Sequence, residues 1–356
     1  MKLDLETPLL KVTSESERCV LPSETYSRAR RALEDRGIGL ELTVHNYDDV
    51  FWAADVDYAL PDNEKPLDRM VRFSGKGPSK HQCMASGSME FIERWSFDRV
   101  NSLNRRDFLC LDLRDGETYS LQPVLEFRNT RCVSAGNTYE EAVLHSLHEL
   151  LETRPRNTLP WEHYCILSVR EMFPDFPDWI DESVVLFMTP TGGRAFYHII
   201  AVLYPFAGEF DQTREYKITK RDGRLHLHRS STVPKPHSPN TGGAAGLNPR
   251  MTAFRAMNEI FQFRPEGFTV RGARKKNHPP WMPRMSVSDL PNFETDSITG
   301  DIMHILEILG EETFVGAVDF TDPELDIPVV KVVSDYSPRG SLVTREVLGH
   351  FFDLPG

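Results

Sequence analysis

The sequence predicts helices packed on sheets, an α+β or α/β architecture, and three observations predict it. Two segments carry apolar residues on one helical arc and glutamates on another. Short runs rich in Val, Ile, Phe and Tyr, bounded by turn residues, lie on both sides of each. The two kinds of element alternate along a chain of 356 residues, enough for one large domain or two ordinary ones.

In chain order, residues 1–20 read as a tail or an edge strand. Ser23-Glu24-Thr25 opens a helix that Gly37 ends. LELTVHNYDD and VFWAADVDYAL, residues 40–49 and 50–60, have strand-like stretches, and a charged loop follows. GKGPSKHQCMASGSMEFIERWS, residues 75–96, reads as a loop feeding a helix on which Ser86, Glu90 and Glu93 lie within about 60° of one another. DFLCLDLRDGETYSLQPV reads as two strands about a turn at Asp115-Gly116.

From Arg131, small residues and Asn137, a helix-capping residue, lead into a helix without Gly or Pro as far as Thr153. Val143, Leu144, Leu147, Leu150 and Leu151 form its apolar arc. Asn137, Glu141, Glu149 and Glu152 fall opposite, with His145 and His148 between. Further on, SVVLFMTP and AFYHIIAVLYPF read as buried strands, and EYKITKRDGRLHLHRS as a hairpin through Asp222-Gly223. STVPKPHSPNTGGAAG, residues 231–246, reads as a connecting loop, and RGARKKNHPPWMPR as a basic, solvated one.

Composition narrows the function. A net charge of -12 argues against a general nucleic-acid binder. The five cysteines form no C-x-x-C pair, which excludes a zinc ribbon and fits reduced thiols in the cytoplasm. MKLDLETPLL is no signal peptide, no run of about 18 apolar residues is present, and a Walker A motif is missing. Glutamates gathered on two narrow stripes repel one another unless a cation sits among them, and Mg2+ takes oxygen ligands of this kind.

These segments resemble the YcaO family. The likeness includes Gly75-Lys76-Gly77 followed by Ser86, Glu90, Glu93 and Arg94, and Ala135-Gly136-Asn137-Thr138 with Glu140-Glu141-Ala142, Glu149 and Glu152. Thr252-Ala253-Phe254-Arg255-Ala256-Met257-Asn258-Glu259 with Gln262 and Arg264 is similar to the family's A-L-x-R-A-L-T-E-x-x-Q-x-R helix, and Pro328-Val329-Val330-Lys331-Val332 to its late P-V-x-K-V strand. PSETYSRARRALEDRGIG resembles the first helix, so the likeness runs from about residue 22 to about residue 335.

The resemblance implies an α+β, YcaO-type fold, with mixed sheets and packed helices forming one ATP-binding cleft in a single catalytic domain over residues 21–356. It implies ATP and Mg2+ as cofactors and a peptide or protein substrate. The activity would be phosphorylation of a backbone amide oxygen, leading to an azoline, a thioamide or an amidine in a ribosomally made peptide. By the same resemblance Glu90, Glu93, Glu141, Glu149 and Glu152 are the Mg2+-facing acids, with Glu149 and Glu152 the catalytic pair. Lys76, Ser86 and Asn137 are nucleotide contacts and Arg264 a phosphate contact. A separate partner for leader binding or sulfur delivery is expected, no nucleic acid or membrane is, and a homodimer is left open.

Departures from the family pattern are specific. Arg131-Cys132 replaces Asn-Gly, and Thr153 follows Glu152 where an arginine is usual, so Arg154 or Arg156 is expected to supply that charge. The ending FFDLPG lacks the Pro-x-Pro-x-Pro of many azoline formers. Two other readings stand beside this one: a catalytically silent YcaO-like protein that binds peptide or nucleotide, and a zinc hydrolase using His145, His148 and Glu149, although H-x-x-H-E is not the H-E-x-x-H spacing.

Overall fold

The computed structural model describes residues 3–13, 17–62, 64, 73–102, 108–121, 130–153, 165–189, 191, 195–203, 211–221, 224–235, 240–262 and 283–335. The first half contains α1 (Pro22–Asp35), β1 (Gly39–Tyr47), β2 (Phe51–Leu60), β3 (Phe73–Gly77), α2 (Lys80–Ser102), β4 (Phe108–Asp112), β5 (Thr118–Leu121), β6 (Val133–Ala135) and α3 (Tyr139–Thr153). The second contains β7 (Cys165–Leu167), α4 (Val169–Met172), α5 (Asp178–Ser183), β8 (Val184–Thr189), β9 (Tyr197–Leu203), β10 (Asp211–Arg221), β11 (Arg224–Lys235) and β12 (Asn240–Gly246). It closes with α6 (Pro249–Phe261), β13 (Arg284–Met285), α7 (Ile298–Leu309), β14 (Val315–Asp319) and β15 (Val329–Ser334).

Among the described residues the strands form three five-stranded sheets, ordered β1-β2-β11-β10 with β3 also on β2, β12-β9-β8-β7-β13, and β5-β4-β14-β15-β6. Among the described residues only the short β13–β7 pair is parallel, so the second sheet is mixed and the class is α+β. Apolar faces decide where the helices go. Ala29 and Leu33 of α1 join Met89, Phe91 and Ile92 of α2 in a core shared by the first and third sheets. Ala253 and Met257 of α6 pack on the second sheet, and Leu144, Leu147 and Leu151 of α3 meet α7 and the third sheet. Each of α2, α3 and α6 therefore touches more than one sheet.

Three expectations need correction. Gly75-Lys76-Gly77 is not a loop but the end of β3, paired with β2 from Trp52↔Gly77 to Val56↔Phe73. Its glycines are required by α2, because a Cβ on Gly75 would sit 2.5 Å from the Gly87 nitrogen and closer still to the Cys83 carbonyl oxygen. Residues 231–246 are not a connector as a whole: their first part ends β11, and β12 pairs with β9 along its length. Gly242 there lets α6 approach, since a Cβ would come within 2.7 Å of the Glu259 Cβ. Asn137 does not cap α3. The Thr138 hydroxyl accepts from the Glu141 N–H at 3.2 Å, and the Asn137 side chain turns inward.

Residues 3–13 form a strap across the start of α7. Leu10 bridges Ser297, and Leu3, Leu5 and Leu9 pack on the α3–α7 core. The Lys11 ammonium is buried against Glu294 and Asp301 at 2.6 Å each. No helix among the described residues is long and apolar enough to cross a membrane.

Candidate active site

Helices α2, α3 and α6, strand β3 and residues 17–19 bring charged side chains to one junction. From α2 comes Glu93, buried at 9% exposure. Its neighbour Glu90 accepts from the Ser74 N–H of β3 at 3.1 Å, and Ser86 is half-buried one turn earlier on the helix. From α3 comes Glu149, whose Oε2 accepts from the Cys132 N–H at 2.8 Å. Burial pushes the Glu93 carboxyl well above the usual carboxylate range, and the fields of Glu149 and Glu90 add to the rise against the pull of Arg94 and Lys331. Burial also raises Glu149, opposed by Arg94, the Cys132 N–H, Lys331 and Lys76. Two enclosed acids with raised affinity for protons mark a place where positive charge is in demand.

The cations around them are Lys76, Arg94, Arg255 and Lys331. The Lys76 Nζ is 2.9 Å from Glu259 Oε1 on α6, and Glu259 Oε2 accepts from the Gly243 N–H of β12 at 2.8 Å. Arg94 lies 3.4 Å from Glu93 and donates to the Thr130 carbonyl at 3.3 Å. Arg255 bonds both oxygens of Glu17 at 3.1 Å and lies in the fields of Glu152, Glu259 and Glu149. Sequence reasoning assigned Arg94, Arg255 and Lys331 no role, although all three stand inside the quoted motifs, Arg94 beside Glu93 and Arg255 one helical turn before Glu259.

Glu141 is a different kind of acid. It is fully buried, takes Arg18 Nη1 at 2.8 Å, and accepts from Asn137 Nδ2 at 3.0 and 3.1 Å. Burial would raise it, yet the Arg18 guanidinium and its other partners hold it below the usual range. Asn137, expected at the nucleotide, spends its amide on Glu141 and on Thr25 Oγ1 at 3.0 Å. Glu17 behaves alike: burial opposes its charge, but Arg255, His148 and His145 keep its carboxyl well below the usual range. His148 Nδ1 lies 3.3 Å from Glu17 and 3.2 Å from Arg255, and burial and Arg18 drive His145 down to about 4. No local pattern in the sequence could have revealed Glu17 and Arg18, whose partners stand more than a hundred residues away.

Among the described residues, no group of three or more His, Cys, Asp or Glu side chains is placed to hold a metal ion. Glu149 and Glu90 nevertheless act on Glu93 through their fields, and burial makes both Glu93 and Glu149 resist ionisation. Arg264, Arg154 and Arg156 lie outside the described residues.

Helices bridging three sheets about one acidic junction define the class as an α+β fold with a charged interhelical site. No protein-family model matches the sequence, and no curated protein does. Among solved structures the chain is similar to YcaO from Methanopyrus kandleri bound with AMPPCP and Mg2+, with a TM-score of 0.65 and 18% identity, covering 98% of each chain. It is also similar to a heterocyclase in complex with substrate and cofactor, with a TM-score of 0.63 and 15% identity, covering 93% of this chain and 54% of that one. The fold is thus the YcaO fold, and it takes in nearly the whole chain.

Proposed function

We propose that this protein is a YcaO-type enzyme, one catalytic domain that uses ATP and Mg2+ to phosphorylate a backbone amide oxygen of a peptide or protein. Azoline, thioamide and amidine formation are all compatible with its residues. The observation that carries the proposal is the pair Glu93 and Glu149, enclosed acids within each other's field and ringed by Lys76, Arg94, Arg255 and Lys331. When bound, Mg-ATP supplies the phosphoryl group that turns an amide oxygen, otherwise a very poor leaving group, into a good one.

The chain's own residues position and neutralise. Glu90, Glu93, Glu149 and Glu152 would hold Mg2+, with Glu149 and Glu152 nearest the transfer. Lys76 and Ser86 serve the nucleotide, and Arg94 and Arg255 supply cationic charge toward the transferred group. Glu141 and Asn137 act one step back: Asn137 orients Glu141, which holds Arg18. A YcaO of known structure bound to AMPPCP and Mg2+ supports the cofactor assignment, and a heterocyclase with bound substrate supports a peptide.

Thermal melting with and without Mg-ATP tests this on the wild type and Glu149→Gln. At a hundred times its dissociation constant the ligand should stabilise the wild type by about 2.7 kcal/mol. Glu149→Gln should lose most of that gain and its ATP turnover with candidate peptides. An equal gain in both proteins, or none in the wild type, would refute the proposal.

A further inference from the structure

One peptide unit stands between a buried cation and the acid Glu149. The carbonyl oxygen of Arg131 accepts from Lys331 Nζ at 2.6 Å, and the N–H of the same peptide, on Cys132, donates to Glu149 Oε2 at 2.8 Å. Ammonium, peptide dipole and carboxylate are joined in the order that lets each strengthen the next. Lys331 lies on β15 at 3% exposure, with its ammonium 5.8 Å above the Phe97 ring. Burying a lysine is costly unless its charge is used, and here the charge lands on a backbone carbonyl beside the acid.

The backbone around this peptide gives the contact a purpose. Cys132 has φ 54°, the left-handed region that side chains avoid. Rotating the Arg131–Cys132 peptide would relieve that conformation and turn the N–H away from Glu149. Two contacts from β15 prevent it: Lys331 grips the carbonyl before Cys132, and the Val332 N–H bonds the Cys132 carbonyl at 2.9 Å. The Cys132 side chain is buried in the α3 core, which closes the remaining freedom.

We infer that Lys331 is a positioning residue, whose ammonium locks the Arg131–Cys132 peptide so that its N–H holds the Glu149 carboxylate in one orientation. The inference rests on Glu149 being a Mg2+-holding acid, as proposed above. A partner that orients a metal ligand in this way commonly accounts for about 10- to 100-fold in metal affinity.

The test uses the full chain labelled with 15N-cysteine, which gives five backbone amide signals, that of Cys132 identified by its loss in Cys132→Ser. Lys331→Met should move the Cys132 amide proton upfield and leave the other four in place, and Lys331→Arg should restore its position. Lys331→Gln keeps a donor without the charge and serves as the second neutral variant if Lys331→Met does not fold. On the Glu149→Gln background the Lys331 changes should move the signal far less. In ATP turnover the neutral variants should need about tenfold more Mg2+ for half-saturation, with kcat changed less, and Lys331→Arg should recover the wild-type requirement. An unmoved Cys132 signal in the neutral variants overturns the inference, whatever turnover does. A moved signal in a protein whose wild type shows no Mg2+-dependent ATP turnover keeps the clamp and removes the proposed function instead.

Discussion

Glu93→Gln replaces an enclosed, titrating carboxyl by a neutral group of the same shape, and its effect on the metal-free protein is set by pH. Because burial and the neighbouring acids raise the folded pKa of Glu93, the native state keeps its proton where the unfolded chain releases it, above the ordinary value of 4.5. Stability from this group is therefore complete below that value and is lost as pH rises toward the folded pKa. The loss is at most about 1.4 kcal/mol per pH unit while the two states differ by one proton. Unfolding entropy of about 2.1 cal/mol/K per residue over 356 residues is about 0.75 kcal/mol/K, so the wild-type Tm should fall up to about 2 °C more per pH unit than that of Glu93→Gln. Melting both proteins without Mg2+ between about pH 5 and pH 7 measures this difference directly. Parallel Tm profiles would mean that Glu93 is an ordinary solvated acid, and the electrostatic account of the site would fall.

Two further outcomes follow from packing and from a pKa shift of the opposite direction. Gly75→Ala drives a methyl into the α2 backbone at Cys83 and Gly87 and should cost at least about 3 kcal/mol. Gly116→Ala, with nothing within 4 Å, should cost only about 1–2 kcal/mol for its left-handed turn, and equal losses in chemical denaturation would refute the close approach. Glu17→Gln should destabilise by about 1.5–3 kcal/mol at neutral pH. That loss should shrink as pH falls below 4.5, since the folded pKa of Glu17 is depressed and its contribution disappears once the carboxyl is protonated. A destabilisation independent of pH would show that the Arg255–Glu17 charge pairing contributes nothing.

What the sequence makes legible is local. The apolar arc of Val143, Leu144, Leu147, Leu150 and Leu151 is read from spacing alone, and all five are buried. The turn at Gly116 and the strand-like stretches that become β1 and β2 are read from short patterns, whereas the pairing of those two strands, with Asp48 and Asp49 at φ 53° and 58° making the reversal, is seen only in the structure. Pairing over distance is not legible. The strand character of Gly75 and Gly77 depends on β2, and glycine composition points to a loop until α2 is seen lying on it. Residues 240–246 mislead for the same reason, because their small side chains serve the helix packed on them. At the site, acids repeated along α2 and α3 announce themselves, whereas Arg255 and Lys331 come singly from α6 and β15, where one Arg or Lys carries no periodic signal. The strain that the Arg131-Cys132 departure carries is visible only in the backbone, since Cys132 occupies a conformation in which glycine would be unstrained.

The strap formed by residues 3–13 has a consequence for how the molecule is made. Leu9 bonds Thr299 across 290 positions of sequence, and Lys11 reaches Glu294 across 283, so the strap is synthesised well before the segment that seats it. Arg18 and Glu17 follow the strap into the junction, where Glu141 and Arg255 receive them. On a ribosome the acids of α2 and α3 emerge long before that seat exists. The site is then a late product of folding, completed when the strap meets its distal seat, and slow maturation with dependence on that distal segment is the expected cost of such non-local closure.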